Sequence, residues 1–328
     1  MKAWLLDDFT GLGALRLAET PTPTPGPGEV LLEVALAGLN PADRYLAERL
    51  YPLKPQLPHI LGRDGIGIVR QVGPGVTEVK VGDKRLIARG DTGGMRPGTF
   101  AQSVVVPADN LVVPPAGWSD EQCAGASLVY LTAYQALTQW GSVQSGSVVL
   151  VTGASGGVGV ASVQLAHAMG CTVVALSRSA EKAARLKELG ADFTYDPGDA
   201  QWRRTLKHNL ASRRVQIAVD NVGGKLFPEV IDTLGDKGCV SVVGRLAGPV
   251  PEFNTATLFF RRLRIGGVAV GAYTREESNA AWKDVLSLLA KTGAKPLVDQ
   301  VFPFDQLIPA FERLARGPMG KVLLKVGA

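Results

Sequence analysis

Apolar and polar positions follow two patterns along this chain. Over the first 118 residues, apolar residues come in short runs cut by glycine and proline, at 30–37, 65–72, 83–88, 99–106 and 111–113. Runs of that length and punctuation predict strands. Pro21, Pro23, Pro25 and Pro27 alternate ahead of the first run and predict an extended connector. Ser119-Asp120-Glu121-Gln122 has the form of a capping box and predicts a helix running to about Trp140. From Ser147 the pattern alternates between periods. Strands are predicted at 147–152, 172–177, 193–195, 215–219, 238–243 and 264–270, and helices at 156–169, 180–189, 201–209 and 225–234. This α/β alternation predicts a doubly wound parallel sheet. A helix over 275–292 leads to a mixed tail with a last strand at 321–326. The tail most simply completes the N-terminal part. The expected domains are therefore 1–120 with 293–328, mainly β, and 121–292, doubly wound, with a cleft between them.

The junction of strand 147–152 and helix 156–169 carries the most chemistry. Val148-Val149-Leu150-Val151 enters Gly153-Ala154-Ser155-Gly156-Gly157-Val158-Gly159. A strand, a glycine turn and a helix N-terminus bring backbone N–H groups and the positive end of a helix dipole against a pyrophosphate. The turn varies the usual G-x-G-x-x-G, with Ala154 in place of the first glycine. Gly156 leaves room for a phosphate, and Gly159 lets helix and strand pack closely. Where the following strand ends, an acidic residue would grip a ribose 2′-hydroxyl, and a basic one suits a 2′-phosphate. Ser177 and Arg178 stand there, so the expected ligand is NADPH rather than NADH.

Composition narrows the class. The 328 residues exceed a usual single core, and 46% hydrophobic with 20% charged residues excludes a disordered or fibrous chain. The net charge of +5 is scattered in pairs such as Arg203-Arg204 and Arg213-Arg214, and aromatics are only 6%. Nucleic-acid binding, which wants a basic stripe with aromatics, is not expected. Cys123, Cys171 and Cys239 show no metal or redox spacing and are expected as buried free thiols in a reducing compartment. The N-terminal apolar run breaks at Asp7-Asp8 and is expected as a first strand rather than a signal peptide. No stretch is long and apolar enough to span a bilayer, and the expected location is cytoplasmic.

Several ordered motifs carry a resemblance. They are Pro25-Gly26-Pro27-Gly28-Glu29-Val30, Ala37-Gly38-Leu39-Asn40-Pro41-Ala42-Asp43, Pro58-His59-Ile60-Leu61-Gly62-Arg63-Asp64 and Leu131-Thr132-Ala133-Tyr134. The Ala154–Gly159 turn, Asp220-Asn221-Val222-Gly223-Gly224 and Gly320-Lys321-Val322 complete the set. In that order and spacing, the chain resembles the zinc-independent medium-chain dehydrogenase/reductases, in the quinone oxidoreductase and enoyl reductase branch. The resemblance implies a Rossmann domain beside a GroES-like catalytic domain. Zinc-using alcohol dehydrogenases of the family hold their catalytic metal with Cys, His and Cys; those places read Asn40, Arg63 and Leu128 here. Such residues do not ligate tetrahedral zinc, and the four-cysteine structural lobe is missing, so no metal is expected. His59, His167 and His208 are expected as solvated or capping residues.

Without a metal, an acceptor that spreads its own charge is the better substrate. Quinones and α,β-unsaturated carbonyls (enals, enones, enoyl thioesters) do so on gaining hydride. The resemblance implies that Asn40 donates to the acceptor carbonyl and that Tyr51 donates to, or protonates, the enolate. It also implies cofactor contacts from Thr132, Ala154, Ser155, Gly156, Gly157, Val158, Ser177, Arg178, Lys182, Tyr195, Asn221, Gly244, Val268, Val270 and Lys321. Of the basic residues, Arg178 suits the 2′-phosphate best, because its planar fork fits phosphate. Strand 264–270 would be an apolar sheet edge needing cover. In relatives that edge pairs across a two-fold axis, so a homodimer is expected, with Arg261, Arg262 and Arg264 near its rim. A second reading stays open, an NADPH-binding structural, sensor or RNA-associated protein with little turnover.

Overall fold

The short apolar runs of the first part become strands because β-branched residues pack well on a pleated surface, and glycine and proline end each one. The structure is a computed structural model that describes residues 1–250 and 252–327. In chain order come β1 (Lys2–Leu6), β2 (Leu15–Glu19), β3 (Glu29–Gly38), α1 (Pro41–Ala47), β4 (Asp64–Val72), β5 (Lys84–Ile87), β6 (Ser103–Pro107) and β7 (Leu111–Val112). Two helices follow, α2 (Asp120–Ala124) and α3 (Ser127–Thr138). The alternating part holds β8 (Val148–Val151), α4 (Gly157–Ala168), β9 (Thr172–Leu176), α5 (Ala180–Glu188), β10 (Phe193–Tyr195) and α6 (Trp202–Leu210). It continues with β11 (Val215–Asp220), α7 (Leu226–Thr233), β12 (Leu234–Val242), α8 (Ala256–Arg261), β13 (Arg264–Gly267) and α9 (Arg275–Thr292). The tail is β14 (Val298–Pro303), α10 (Leu307–Ala315) and β15 (Lys321–Lys325).

Two units result. One comprises Met1–Leu128, Tyr273–Asn279 and the chain from Lys295 onward; the other comprises Val129–Ala272 and Ala280–Ala294. In the first, a largely antiparallel sheet runs β14-β15-β3-β4-β5-β7, with β6 also paired to β3. The tail enters this GroES-like sheet directly: β15 lies antiparallel to β3 with Leu324 opposite Ala37. In the second, six strands run parallel in the order β10-β9-β8-β11-β12-β13, the Rossmann order, which reverses between β8 and β11. Such a sheet binds its ligand outside the carboxyl ends of the strands at that reversal. Helix α4 starts there, and its residues from Gly159 to Ala166 are buried, so it is held as a rigid rod.

Several sequence boundaries move: β12 starts at Leu234 rather than 238, β13 ends at Gly267 rather than 270, and two further shifts have clear tertiary reasons. The Ser119 capping box forms, but the helix breaks after Ala124 rather than running to Trp140. A Cβ on Gly125 would sit 3.0 Å from Cγ of Lys321, so the break admits a distant side chain. Short α2 packs on β3 and β4 in the β-rich unit, although the sequence reading assigned it to the other domain. The predicted strand 99–106 starts only at Ser103, because Phe100 O accepts from Trp4 N and Thr99 Oγ1 donates to Asp64 O instead.

Candidate active site

The turn after β8 is a backbone cradle. Gly153 takes φ +56°, in the left-handed region, and Gly156 is the N-cap of α4 without a side-chain cap. The first-turn N–H groups of α4 thus point out of the helix end with its positive dipole. Two glycines that look alike in sequence differ here. A Cβ on Gly159 would come 2.3 Å from Gly153 O and 2.6 Å from Ala154 Cα, so helix and turn touch. A Cβ on Gly156 would meet only Gly153 O, at 3.5 Å, so the fold does not require glycine there. Its bareness leaves the open space that a pyrophosphate would fill.

Other cofactor candidates stand at the same strand ends. Asn221 follows β11 and is locked to the turn: its N–H donates to Thr152 Oγ1 at 2.9 Å and its Nδ2 to Thr152 O at 2.8 Å. Thr152 Oγ1 donates in turn to the buried Asp220 carboxylate at 2.7 Å, closing the gap between β8 and β11. Gly244 lies against Asn221, where a Cβ would be 2.8 Å from Asn221 O. Ser177 N–H donates to Tyr195 O, joining the ends of β9 and β10, and Arg178 beside it is exposed. Ser179 caps α5 by accepting from Lys182 N–H at 3.3 Å. Tyr195 OH accepts from Asn209 Nδ2. Val268 follows β13, and its N–H donates to Val242 O. Val270 lies just beyond, and Thr132 is half-buried on α3. Of the candidates, only Lys321 lies outside the Rossmann unit, with Asn40 and Tyr51 in the β-rich one.

Around Asn40 the second site is made of side chains. Asn40 precedes α1, Asp64 opens β4 and Lys321 opens β15, all nearly fully buried. Lys321 Nζ donates to Asn40 Oδ1 at 2.6 Å and to Asp64 Oδ2 at 3.0 Å. Asn40 Nδ2 donates to Asp64 Oδ1 at 2.9 Å and to Gly38 O at 3.3 Å. With a cation on one side and a carboxylate on the other, the amide has only one sensible orientation. Both protons of the Asn40 amide thus lie within hydrogen-bond distance of protein acceptors, and Lys321 spends two of its ammonium donors in this network.

Tyr51 and Arg63 flank the network. Arg63 Nη1 donates to Tyr51 OH at 3.4 Å, and Arg63 Cζ lies 4.5 Å from the Tyr51 ring centre. Arg63 Nε is 3.7 Å from Asp43 Oδ1, while Asn40 N–H donates to Asp43 Oδ2 at 2.9 Å. Burial, outweighing the nearby Arg63 charge, pushes the Asp43 carboxyl up to about 6. His59 is buried rather than solvated, pinned by backbone pairing with Leu6; burial holds its pKa below the ordinary value. The donor set at Asn40, Arg63 and Leu128 does not fit zinc, since an amide, a guanidinium and an alkyl chain offer no tetrahedral N/S set. Among the described residues, no group of three or more His, Cys, Asp or Glu gathers elsewhere. No helix among them is long and apolar enough to cross a membrane.

Sequence reasoning missed Asp43, Asp64 and Thr152 as site residues. Two carboxylates inside otherwise apolar motifs were the available signal, because buried acids demand partners.

Comparison with known proteins places both units. Residues 157–291 match the family of zinc-binding dehydrogenases and residues 26–116 the alcohol dehydrogenase GroES-like domain. The quinone oxidoreductase of Rattus norvegicus is 30% identical over 328 residues, covering 99% of this chain and 97% of its own. Among solved structures, an NAD-dependent alcohol dehydrogenase superposes with TM-score 0.91 at 30% identity, covering both chains fully. The Escherichia coli quinone oxidoreductase complexed with NADPH has TM-score 0.90 at 28% identity, over 99% of this chain and 100% of that one.

Proposed function

Because this chain belongs to the medium-chain dehydrogenase/reductase family, in its quinone oxidoreductase branch, we propose that it is an NADPH-dependent, zinc-independent reductase of quinones or α,β-unsaturated carbonyls. The observation that carries this reading is Arg63 at a zinc-ligand place, stacked on Tyr51. A fixed cation beside a phenol suits an acceptor whose product anion is delocalised and needs only hydrogen bonds and a proton.

Two of the similar solved structures are NADPH complexes, which supports that cofactor here. The residues favour NADPH. Gly153 to Val158 would cradle the pyrophosphate, Arg178 would take the 2′-phosphate with its planar fork, and Ser177 and Lys182 would support it. Thr132, Tyr195, Asn221, Gly244, Val268 and Val270 would line the rest of the cofactor. Bound NADPH supplies the hydride. Asn40 holds Asp64 and Lys321 together and so seats α1, which carries Asp43. Tyr51 donates the proton that an enolate requires.

A panel of acceptors tests this. NADPH oxidation with a benzoquinone or a conjugated enone, by protein free of zinc on elemental analysis, is the expected result. Turnover only of saturated alcohols or ketones, or activity restored by zinc after chelation, would refute it. No turnover with any acceptor would leave the binding-protein reading instead. A homodimer through β13 is also part of the proposal. Ile265 on that strand is 38% exposed, with Phe259 and Phe260 just before it at 66% and 79%. An edge of that kind needs cover. A monomer mass by light scattering at micromolar concentration would remove the dimer from the proposal.

A further inference from the structure

Arg63 is a mostly buried cation that uses little of its hydrogen-bonding capacity. Its side chain is 16% exposed, and Nε and Nη2, the nitrogens of its side-on fork, are buried with no hydrogen-bond partner among the described residues. The Asp43 oxygen nearest to it is equally unpartnered and, at 3.7 Å from Nε, beyond hydrogen-bond range. The other Asp43 oxygen is fixed by the Asn40 N–H. Burying an arginine with so few direct bonds is costly, and structural pairing alone does not account for it. The side chain it meets at both ring and hydroxyl is Tyr51, with Cζ over the ring and Nη1 donating to the phenol oxygen.

We propose that Asp43 and Arg63 form a positioning pair for Tyr51. The charge of the buried carboxylate, 3.7 Å from Nε, holds the guanidinium in place, and the guanidinium meets the phenol at ring and oxygen, leaving the hydroxyl proton for a conjugated carbonyl acceptor. This deepens the reading of Tyr51 as proton donor and rests on it. A hydroxyl that accepts from a cation is polarised to donate, and a stacked planar fork fixes the ring. Once the β-carbon of the acceptor has gained hydride, the alkene electron pair lies on the carbonyl oxygen as an enolate. The Tyr51 O–H bond then breaks and its proton passes to the enolate. The charge left on the Tyr51 oxygen faces Arg63 until water returns a proton. A quinolate is a weaker base and can take its proton from solvent, so the pair singles out enals, enones and enoyl thioesters over quinones.

Asp43 faces Arg63, Asp64, Lys321 and the Asn40 N–H, with His59 close to Arg63. Burial raises its carboxyl to about 6, so acid neutralises the anchor within an accessible range.

The test compares the parent with Arg63→Met, Arg63→Lys, Asp43→Asn, Tyr51→Phe and the Arg63→Met/Tyr51→Phe double variant. Turnover of an enone and of a benzoquinone is measured at saturating NADPH. In parallel, 13C NMR of ring-labelled tyrosine is recorded without cofactor, the Tyr51 signal being the one lost in Tyr51→Phe. The remaining tyrosine signals report whether each variant stays folded. Arg63→Met is expected to cut enone kcat about tenfold or more and quinone kcat less than about threefold. The double variant should lose no more than Tyr51→Phe alone, because Arg63 acts through Tyr51. Arg63→Met and Asp43→Asn should both shift the Tyr51 signal, and Arg63→Lys should recover part of the loss. An acid limb in enone turnover near the Asp43 range should vanish in Asp43→Asn; if that variant does not fold, the two Arg63 variants carry the test. Additive losses in the double variant, or a Tyr51 signal unmoved by Arg63→Met, overturn the proposal. A parent that reduces no acceptor defeats the proposed reaction instead, while the NMR arm still decides whether Arg63 holds Tyr51.

Discussion

At the end of β8, consecutive residues supply a site made almost wholly of backbone; around Asn40, which caps α1, side chains from α1, β4 and β15 supply one made of charge. The turn has first-turn N–H groups that its own helix cannot satisfy and an open face at Gly156. The Asn40 network has almost nothing left to give, since each amide atom, both Asp64 oxygens and two of the ammonium's donors are engaged. In the proposed function the first receives a ligand, while the bonds of the second run within the protein. At its margin, where Arg63 and Asp43 pair loosely, the charged region keeps buried polar atoms without hydrogen-bond partners among the described residues.

The largest expected effect tests the structural half. Asp64→Ala leaves the Lys321 ammonium buried and uncompensated, and should cost about 3–5 kcal/mol in denaturant unfolding. Removing Lys321 as well, with Lys321→Met, should cost less than the sum of the single changes, because the orphaned charge is gone. Additive losses would show two independent side chains rather than one network.

Next comes pH. The folded Asp43 carboxyl titrates near 6, above the ordinary 3.8. Between those values the folded state holds a proton that the unfolded chain has released. This contribution to stability is full below about pH 4 and is lost as pH rises through about 6, a swing of about 3 kcal/mol at most. Asp43→Asn should flatten that part of the stability profile. An unchanged profile would place the titration elsewhere.

The two glycines sharpen the contrast within the turn. Gly159→Ala should destabilise the fold by about 1–3 kcal/mol, since a Cβ there collides with backbone. Gly156→Ala should leave unfolding nearly unchanged yet weaken NADPH about tenfold or more, by filling the space meant for phosphate. If Gly156→Ala binds NADPH as tightly as the parent, the turn is structural after all. The smallest effect concerns discrimination: Arg178→Ala should erase most of an expected tenfold preference for NADPH over NADH, about 1.4 kcal/mol, measured by titrating both nucleotides.

The turn was legible in the sequence because its causes are local. An apolar β-branched run, a glycine with φ above zero and a helix start lie within about a dozen residues, and each leaves its own mark. The Ser119 capping box was legible for the same reason, but the end of its helix was not. Gly125 reads as an ordinary mid-helix glycine until Lys321 is found passing over it. Asn40 shows the limit most clearly: no local pattern marks Asp64 and Lys321 as the partners of its amide.

By itself, then, the sequence determined the two fold types, the strand order's raw material and the glycine turn ahead of α4, all of which arise from periodicity and backbone stereochemistry over short spans. The tertiary structure alone decided which charges meet. Asn40 and Lys321 are 281 positions apart and Asp64 and Lys321 are 257 apart. Nothing in the intervening chain encodes their pairing locally. They meet because β15 adds to β3 and brings the ammonium into an apolar interior, where a buried charge must find its opposite.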